Sequence, residues 1–170
     1  MHAMNRMEFA ALLAQLAERP VPPLVDRHVY LWHGEPEDLR GLAPIGLASE
    51  LDLYALAATL SKTPFALDEA RLQLRASIAT WLREHTPAPG AHQIVVVTGN
   101  SLLQRYRVPL DAFFQASSET RLIVFVVSRR ETDFIPVRPM PAYVEIEPNS
   151  TLEYLRTKLS DHALIGETNS

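Results

Sequence analysis

The sequence predicts an α/β fold with a mostly parallel β-sheet and helices on both of its faces. Helical and strand-like patterns alternate along the chain, which is the order typical of parallel sheets. Residues 94–98 (IVVVT) and 121–127 (RLIVFVV) are apolar without alternation, as expected for strands that are buried on both faces. A helical stretch separates them and predicts a crossover between parallel strands.

The N-terminal half contains three predicted helices and two predicted strands. Residues 1–19 form an amphipathic helix, because their apolar side chains recur at helical spacing. Residues 20–26 hold three prolines and form a connector, since proline cannot continue a helix. The remaining elements are a strand at 28–32, a loop at 33–48, a short strand at 50–53, a helix to about residue 61 and a longer helix at 68–85.

The alternation of helices and strands continues in the C-terminal half, so we assign residues 27–160 to a single α/β domain. After the strand at 94–98, a helical stretch reaches residue 117 and leads into the strand at 121–127. A proline-rich loop precedes an alternating segment at 143–147, which predicts an edge strand. A last short helix starts at Asn149 or Ser150, and residues 161–170 form a flexible tail.

The composition of the 170-residue chain limits its chemistry. The net charge is −4, so the protein is not built to coat nucleic acid or an anionic membrane. The chain has no cysteine, which excludes disulfides, thiolate zinc sites and cysteine nucleophiles. It contains no apolar run of membrane-spanning length and no signal-peptide pattern, so we expect a cytoplasmic protein with no membrane partner.

The loop after the first strand lies where a phosphate-binding loop would be expected. That motif requires two glycines followed by Lys and Ser or Thr, because backbone N–H groups and the lysine hold the phosphates. Residues 33–46 read HGEPEDLRGLAPIG, with no lysine and with three acidic residues that would repel phosphate. The pair Lys62-Thr63 follows a helix and lacks the first glycine. The layout is therefore a degenerate P-loop-like one that lacks the nucleotide motifs.

The strand at 94–98 gives a second, independent indication against nucleotide hydrolysis. A P-loop ATPase would carry an acidic residue for magnesium at its end, where this chain has Thr98 and Asn100. Gly99 is the residue that lets the chain turn off the strand. Asn100 and Ser101 either cap the next helix or bind a ligand or partner, and capping is the simpler role.

Other catalytic patterns are missing. His33 stands beside Glu35 in a candidate loop, but no second and third ligand at short spacing accompany it, so we expect no metal site. There is no G-x-S-x-G motif of a serine hydrolase. Asp52 is interpreted as the cap of the following helix. We therefore assign no catalytic residue and no cofactor.

The arginines of the C-terminal half suggest an interface rather than a nucleic-acid site. Residues 93–148 contain six arginines and six acidic residues, so we expect only weak binding to DNA alone. Arginine beside an aromatic residue is favoured at protein interfaces. The candidate partner-binding residues are Asn100, Arg105, Tyr106 and Arg129, at the carboxyl ends of the two apolar strands. The alternative is that Tyr106 packs into the core.

Several segments resemble a known family. The resemblance rests on four segments in chain order. The first is a strand that continues into a loop, VYLWHGEPEDLRGL, and the others are ELDLYALAATL, IVVVTGNSLLQRYRVPLDAFFQ and RLIVFVVS. Over residues 28–130 this is similar to the BrxB-type proteins of bacterial BREX phage-defence systems. The BrxF-type proteins are similar in layout but keep a phosphate-binding loop. The chain departs from the family pattern at residues 128–130, which read Ser-Arg-Arg where an aromatic-Pro-Gly is expected.

The resemblance implies a non-enzymatic adaptor of a multi-protein anti-phage defence system, which binds a larger defence subunit of the PglZ type. It carries over no catalytic residue. Two alternatives remain open at this point. One is a regulatory domain that binds a nucleotide or another anion through strand-end arginines, and the other is a nucleic-acid-binding accessory subunit.

Overall fold

A computed structural model describes residues 4–18, 28–60, 66–128, 150–159 and 163–165. The helices in these ranges are α1 (Arg6–Leu16), α2 (Pro36–Leu42), α3 (Leu53–Ala58), α4 (Leu67–Glu84), α5 (Ser101–Arg105), α6 (Asp111–Ala116) and α7 (Ser150–Leu159). The strands are β1 (Val29–His33), β2 (Ala48–Asp52), β3 (Gln93–Thr98), β4 (Arg121–Val127) and β5 (Leu164–Ile165). None of the described helices combines the length and apolarity that crossing a bilayer requires.

The five strands form one sheet in the order β2-β3-β4-β1-β5, and every pair is parallel. Val29 of β1 lies opposite Ile123 of β4, and Val95 of β3 lies opposite the same residue on the other side. The two continuously apolar strands are therefore neighbours near the middle of the sheet. The predicted parallel α/β sheet is confirmed.

Alternate side chains of the strands enter two separate cores, because successive residues of a strand point to opposite faces. Phe125 belongs to the core that packs under α3–α7, and its ring meets that of Phe113 edge-on at 4.7 Å between centroids. Its neighbour Val124 belongs to the second core, under α1 and α2. Helices thus cover both faces of the sheet.

The N-terminal helix α1 is part of the second core. Asn5 caps it: the Asn5 side chain accepts from the Glu8 backbone N–H, and the Glu8 carboxylate accepts from the Asn5 backbone N–H. Its apolar face is buried in contact with the sheet through Phe9, Leu12, Leu13 and Leu16. The Phe9 ring lies 5.1 Å from that of Tyr30, so α1 is held by the same sheet as the rest of the domain.

Some expected boundaries differ from the structure. The predicted loop at 33–48 contains α2, which begins at a proline in its first turn. The prediction of a flexible tail at 161–170 missed β5, whose Leu164 and Ile165 pair with β1. The connector at 20–26, the edge strand at 143–147 and Arg129 lie outside the described residues.

Candidate functional site

All five strands end at the same edge of the sheet, and the order of the strands singles out one crevice there. The helix that follows β1, α2, packs on the second core, whereas α7, which follows β4, packs on the first. In parallel α/β sheets, ligands bind outside the carboxyl ends of two neighbouring strands whose helices leave to opposite faces. The crevice between β1 and β4 is therefore the candidate functional site.

Polar contacts join the two loops that border this crevice. The Gly34 backbone N–H donates to the Val127 carbonyl at 3.0 Å. The Ser128 hydroxyl donates to the Glu35 carboxylate and lies 3.0 Å from each of its oxygens. Trp32 Nε1 donates to the Glu35 carbonyl at 3.2 Å, which fixes the turn after β1. A ligand would have to displace these contacts to enter between the strands.

Arg6 fills the space above the turn. Its guanidinium lies 4.3 Å from the centroid of a Trp32 ring, and its Nη2 donates to the His33 carbonyl at 3.3 Å. A Cβ atom placed on Gly34 would lie only 2.4 Å from that Nη2. Gly34 therefore gives space to the arginine of the protein's own N-terminal helix, whereas a phosphate-binding loop leaves its glycine backbone open to the ligand.

The glycine at the end of β3 is also packed against a side chain of the protein itself. Gly99 has φ +74, a conformation that favours glycine, and a Cβ there would lie 3.0 Å from Tyr54 Cδ2. The Tyr54 hydroxyl forms a hydrogen bond with the Ser101 hydroxyl. The predicted role of Gly99 as the turn residue is confirmed. The aromatic ring of Tyr54 packs against the Gly99 backbone, so a ligand has no room there.

Asn100 holds two strand ends together. Its Nδ2 donates to the Val97 carbonyl of β3 at 2.9 Å and to the Val126 carbonyl of β4 at 2.8 Å. The side chain is completely buried and makes no capping hydrogen bond to α5. Asn100 therefore stands at the N-cap position of α5, but its side chain does not cap the helix. By contrast, Asp52 accepts from the Tyr54 N–H at 3.0 Å and caps α3, as predicted.

Two of the other predicted partner-binding residues, Arg105 and Tyr106, are also interior. Tyr106 has no exposed surface and packs in the first core, and Arg105 is 2% exposed. The Arg105 guanidinium lies 5.8 Å from the Tyr106 ring centroid, so the expected pairing of arginine and aromatic exists. Of the two readings of Tyr106, the alternative that it packs into the core is confirmed, and a solvent-facing Tyr106 is wrong. Arg129 lies outside the described residues.

The charged groups of the described strand-end edge do not form an anion site. The acidic residues Glu35 and Asp52 lie on it, and Arg6 is committed to Trp32 and the His33 carbonyl. No group of three or more histidine or acidic side chains positioned for a metal ion occurs in the described ranges. Burial raises the pKa of Tyr30 to about 12 and lowers that of His28, but these residues lie in or before β1 rather than at its carboxyl end.

Sequence reasoning missed Arg6 and Arg121, two arginines with structural partners far away in the chain. Arg6 follows a capping asparagine and would be read as a solvent-facing helix residue. Arg121 opens an apolar strand, and its partners Gln93 and Leu82 are contributed by other elements. No local pattern signals either contact.

Comparison with family models, with curated proteins and with solved structures finds no match for this chain.

Proposed function

We propose that this protein is a non-catalytic adaptor of a multi-protein anti-phage defence system and that it binds a larger, PglZ-type subunit. The observation that supports a role without nucleotide chemistry is the filled crevice between β1 and β4. Gly34 is hydrogen-bonded to the end of β4, and Ser128 is hydrogen-bonded to Glu35. The Arg6 side chain packs over the turn at Gly34. The resemblance of residues 28–130 to BrxB-type proteins supports the choice of system.

The order of the strands supports reading the domain as a P-loop-like layout that has lost its nucleotide site. β1 and β3 lie on either side of β4, so the loops that follow them flank one strand end. A phosphate-binding loop after β1 would need a lysine, and a magnesium site after β3 would need a carboxylate. The first loop has Glu35 and the second has Thr98, Gly99 and Asn100. Neither loop offers what phosphate transfer requires.

The anion-binding alternative needs accessible arginines at the strand ends. Arg105 is 2% exposed and Arg6 is stacked on Trp32, so neither arginine offers an open guanidinium to an anion. The nucleic-acid alternative needs a basic surface, which the balance of charges in residues 93–148 disfavours.

The proposal is tested by co-expressing the full chain, tagged, with the PglZ-type protein of a BREX system encoded beside it. We expect the two proteins to co-purify through size exclusion without added nucleotide, and the isolated chain to release no phosphate from Mg²⁺-ATP or Mg²⁺-GTP. A matched variant, Lys62→Ala, reports whether any residual turnover belongs to this chain. Failure to co-purify, or magnesium-dependent turnover that Lys62→Ala abolishes, would contradict the proposal.

A further inference from the structure

A groove of about 260 Å³ lies between the last turns of α4 and the helix α6, far from the carboxyl ends of the strands. Its apolar walls are formed by small and aliphatic residues of both helices, among them Ala112 and Ala116. Its polar lining residues are Arg83, Thr86, Gln115 and Arg121, and none of the residues that line it is acidic.

Arg121 is the buried charge of this groove, since only 6% of the residue is exposed. Its Nε donates to Gln93 Oε1 at 2.6 Å and its Nη2 donates to the Leu82 carbonyl at 2.8 Å. These bonds fix the guanidinium at the end of α4 and at the start of β3. The third nitrogen, Nη1, has no hydrogen-bond partner among the described residues, yet it is not sealed from solvent. Nη1 is therefore free to donate into the groove.

Within the described part of the chain, the charge of Arg121 has no counter-ion. Both of its hydrogen-bond acceptors are neutral, and no carboxylate of the described residues lies within ion-pair distance. Burial lowers the pKa of Arg121, and no neighbouring charge contributes to the shift. Guanidinium stays protonated at physiological pH, and a buried charge without a partner is costly. An anion in the groove would remove that cost.

The rest of the lining fits an anion that carries an apolar stem. Arg83 is exposed, and its Nη2 donates to the Thr80 hydroxyl at 3.3 Å, so no carboxylate of the described residues holds it and it is available to a ligand in the groove. The Leu82 carbonyl at the end of α4 already accepts from Arg121 and from the Thr86 hydroxyl, so it does not face an anion unpaired. The small alanine side chains leave room for the methylene groups of a ligand, which would displace water molecules of about 30 Å³ each from the groove.

We propose that this groove, floored by Arg121 and flanked by Arg83, binds a carboxylate group presented by an acidic peptide segment of a partner protein. The negative end of the α4 dipole opposes any anion in the groove, and it opposes a doubly charged phosphate more than a singly charged carboxylate. Planar arginine groups bind carboxylates through short charge-assisted hydrogen bonds. The apolar walls favour a glutamate or aspartate side chain over a free inorganic anion. The identity of the partner rests on the proposed adaptor function, whereas the site itself does not.

The test uses the full, ¹⁵N-labelled chain and the blocked peptide Ala-Glu-Ala-Glu-Ala, with its Ala-Gln-Ala-Gln-Ala twin as the uncharged control. We expect the acidic peptide to shift backbone amides of residues 79–86 and 112–116 and the control peptide to leave them unchanged. Arg83→Gln removes one charge-assisted contact and should weaken binding by about five- to tenfold. Ala116→Phe should fill the groove and abolish binding. The matched control Arg156→Gln removes a cation from α7 and should leave the affinity unchanged.

Several results would overturn the site. Equal binding of the glutamine peptide, an unchanged affinity in Arg83→Gln, or shifts located elsewhere would each do so. Inorganic phosphate that shifts the same amides when the acidic peptide does not would show that the groove is not a carboxylate site. A failed peptide titration alongside co-purification of the PglZ-type subunit would reject the groove and keep the adaptor function. Binding of the acidic peptide together with failure to co-purify would reject the adaptor function and keep the groove.

Discussion

Replacing Tyr106 with alanine discriminates a structural side chain from an exposed interface residue. The ring is fully buried in the core formed by α3–α7 and the sheet, and it is among the largest buried side chains. Truncating a buried aromatic residue to alanine costs about 3–5 kcal/mol, through lost transfer free energy and the cavity left behind. That is a large fraction of the roughly 5–15 kcal/mol by which a domain is stable. We expect Tyr106→Ala to be severely destabilised or unfolded.

The assay is urea unfolding followed by the fluorescence of Trp32 and Trp81. With a slope of about 2 kcal/mol per molar urea, the loss lowers the midpoint by about 2 M. Tyr106→Phe keeps the ring and should retain most of the stability. Leu72→Ala is the matched surface control, because Leu72 is 62% exposed, and it should stay within about 0.5 kcal/mol of wild type. A Tyr106→Ala midpoint equal to that of Leu72→Ala would show that the ring does not stabilise the core and would restore Tyr106 as an interface candidate.

Two further predictions concern the backbone and the ionisation of buried groups. Gly99→Ala should lower the unfolding free energy by about 2–3 kcal/mol, because alanine is strained in the left-handed backbone and its Cβ meets Tyr54. The control Gly90→Ala has the same backbone strain but open space, so it should lose only about 1–2 kcal/mol. Equal losses in urea unfolding would exclude a role for Tyr54. Burial raises the pKa of Tyr30 to about 12, above the ordinary value of 10.0, so the native state disfavours the phenolate and stability falls as the pH rises above 10. Tyr30→Phe should remove about 2 kcal/mol of that loss at pH 11.5, and identical alkaline unfolding curves for variant and wild type would contradict the assignment.

The strongest sequence patterns predicted the centre of the fold. Residues 94–98 and 121–127 are apolar at every central position because both faces of β3 and β4 are covered, which no surface strand could tolerate. The predicted helix at 68–85 matches α4 within one residue at each end, although its Leu72 is exposed. The buried stripe runs instead through Ala70, Leu74, Ile78 and Leu82, at spacings of four.

Short elements were missed because tertiary pairing decides them. α2 has seven residues, with a proline in its first turn and a glycine near its end, so its local pattern reads as a loop. β5 has two residues, which carry no periodicity of their own and become a strand only beside Leu31 and Trp32 of β1.

Candidate side chains were expected at the carboxyl ends of the strands, but their burial could not be read from the sequence. The burial of Tyr106 depends on where the five-residue helix α5 ends, and a sequence with arginines on both sides of the tyrosine suggests exposure. Asn100 looks like a helix cap, but the carbonyls of Val97 and Val126 are its actual acceptors. Because Val126 comes from a different strand, only the assembled sheet brings it within reach.

We expect the crevice between β1 and β4, which is filled by the protein's own side chains, not to bind nucleotide. Isothermal titration of the full chain with Mg²⁺-ATP, paired with amide spectra that follow Gly34, Glu35 and Gly99, tests this directly. We expect no heat of binding up to millimolar nucleotide and no shift of these amides. Saturable micromolar binding with shifts at Gly34 and Gly99 would show that the crevice opens to a nucleotide and would contradict the account.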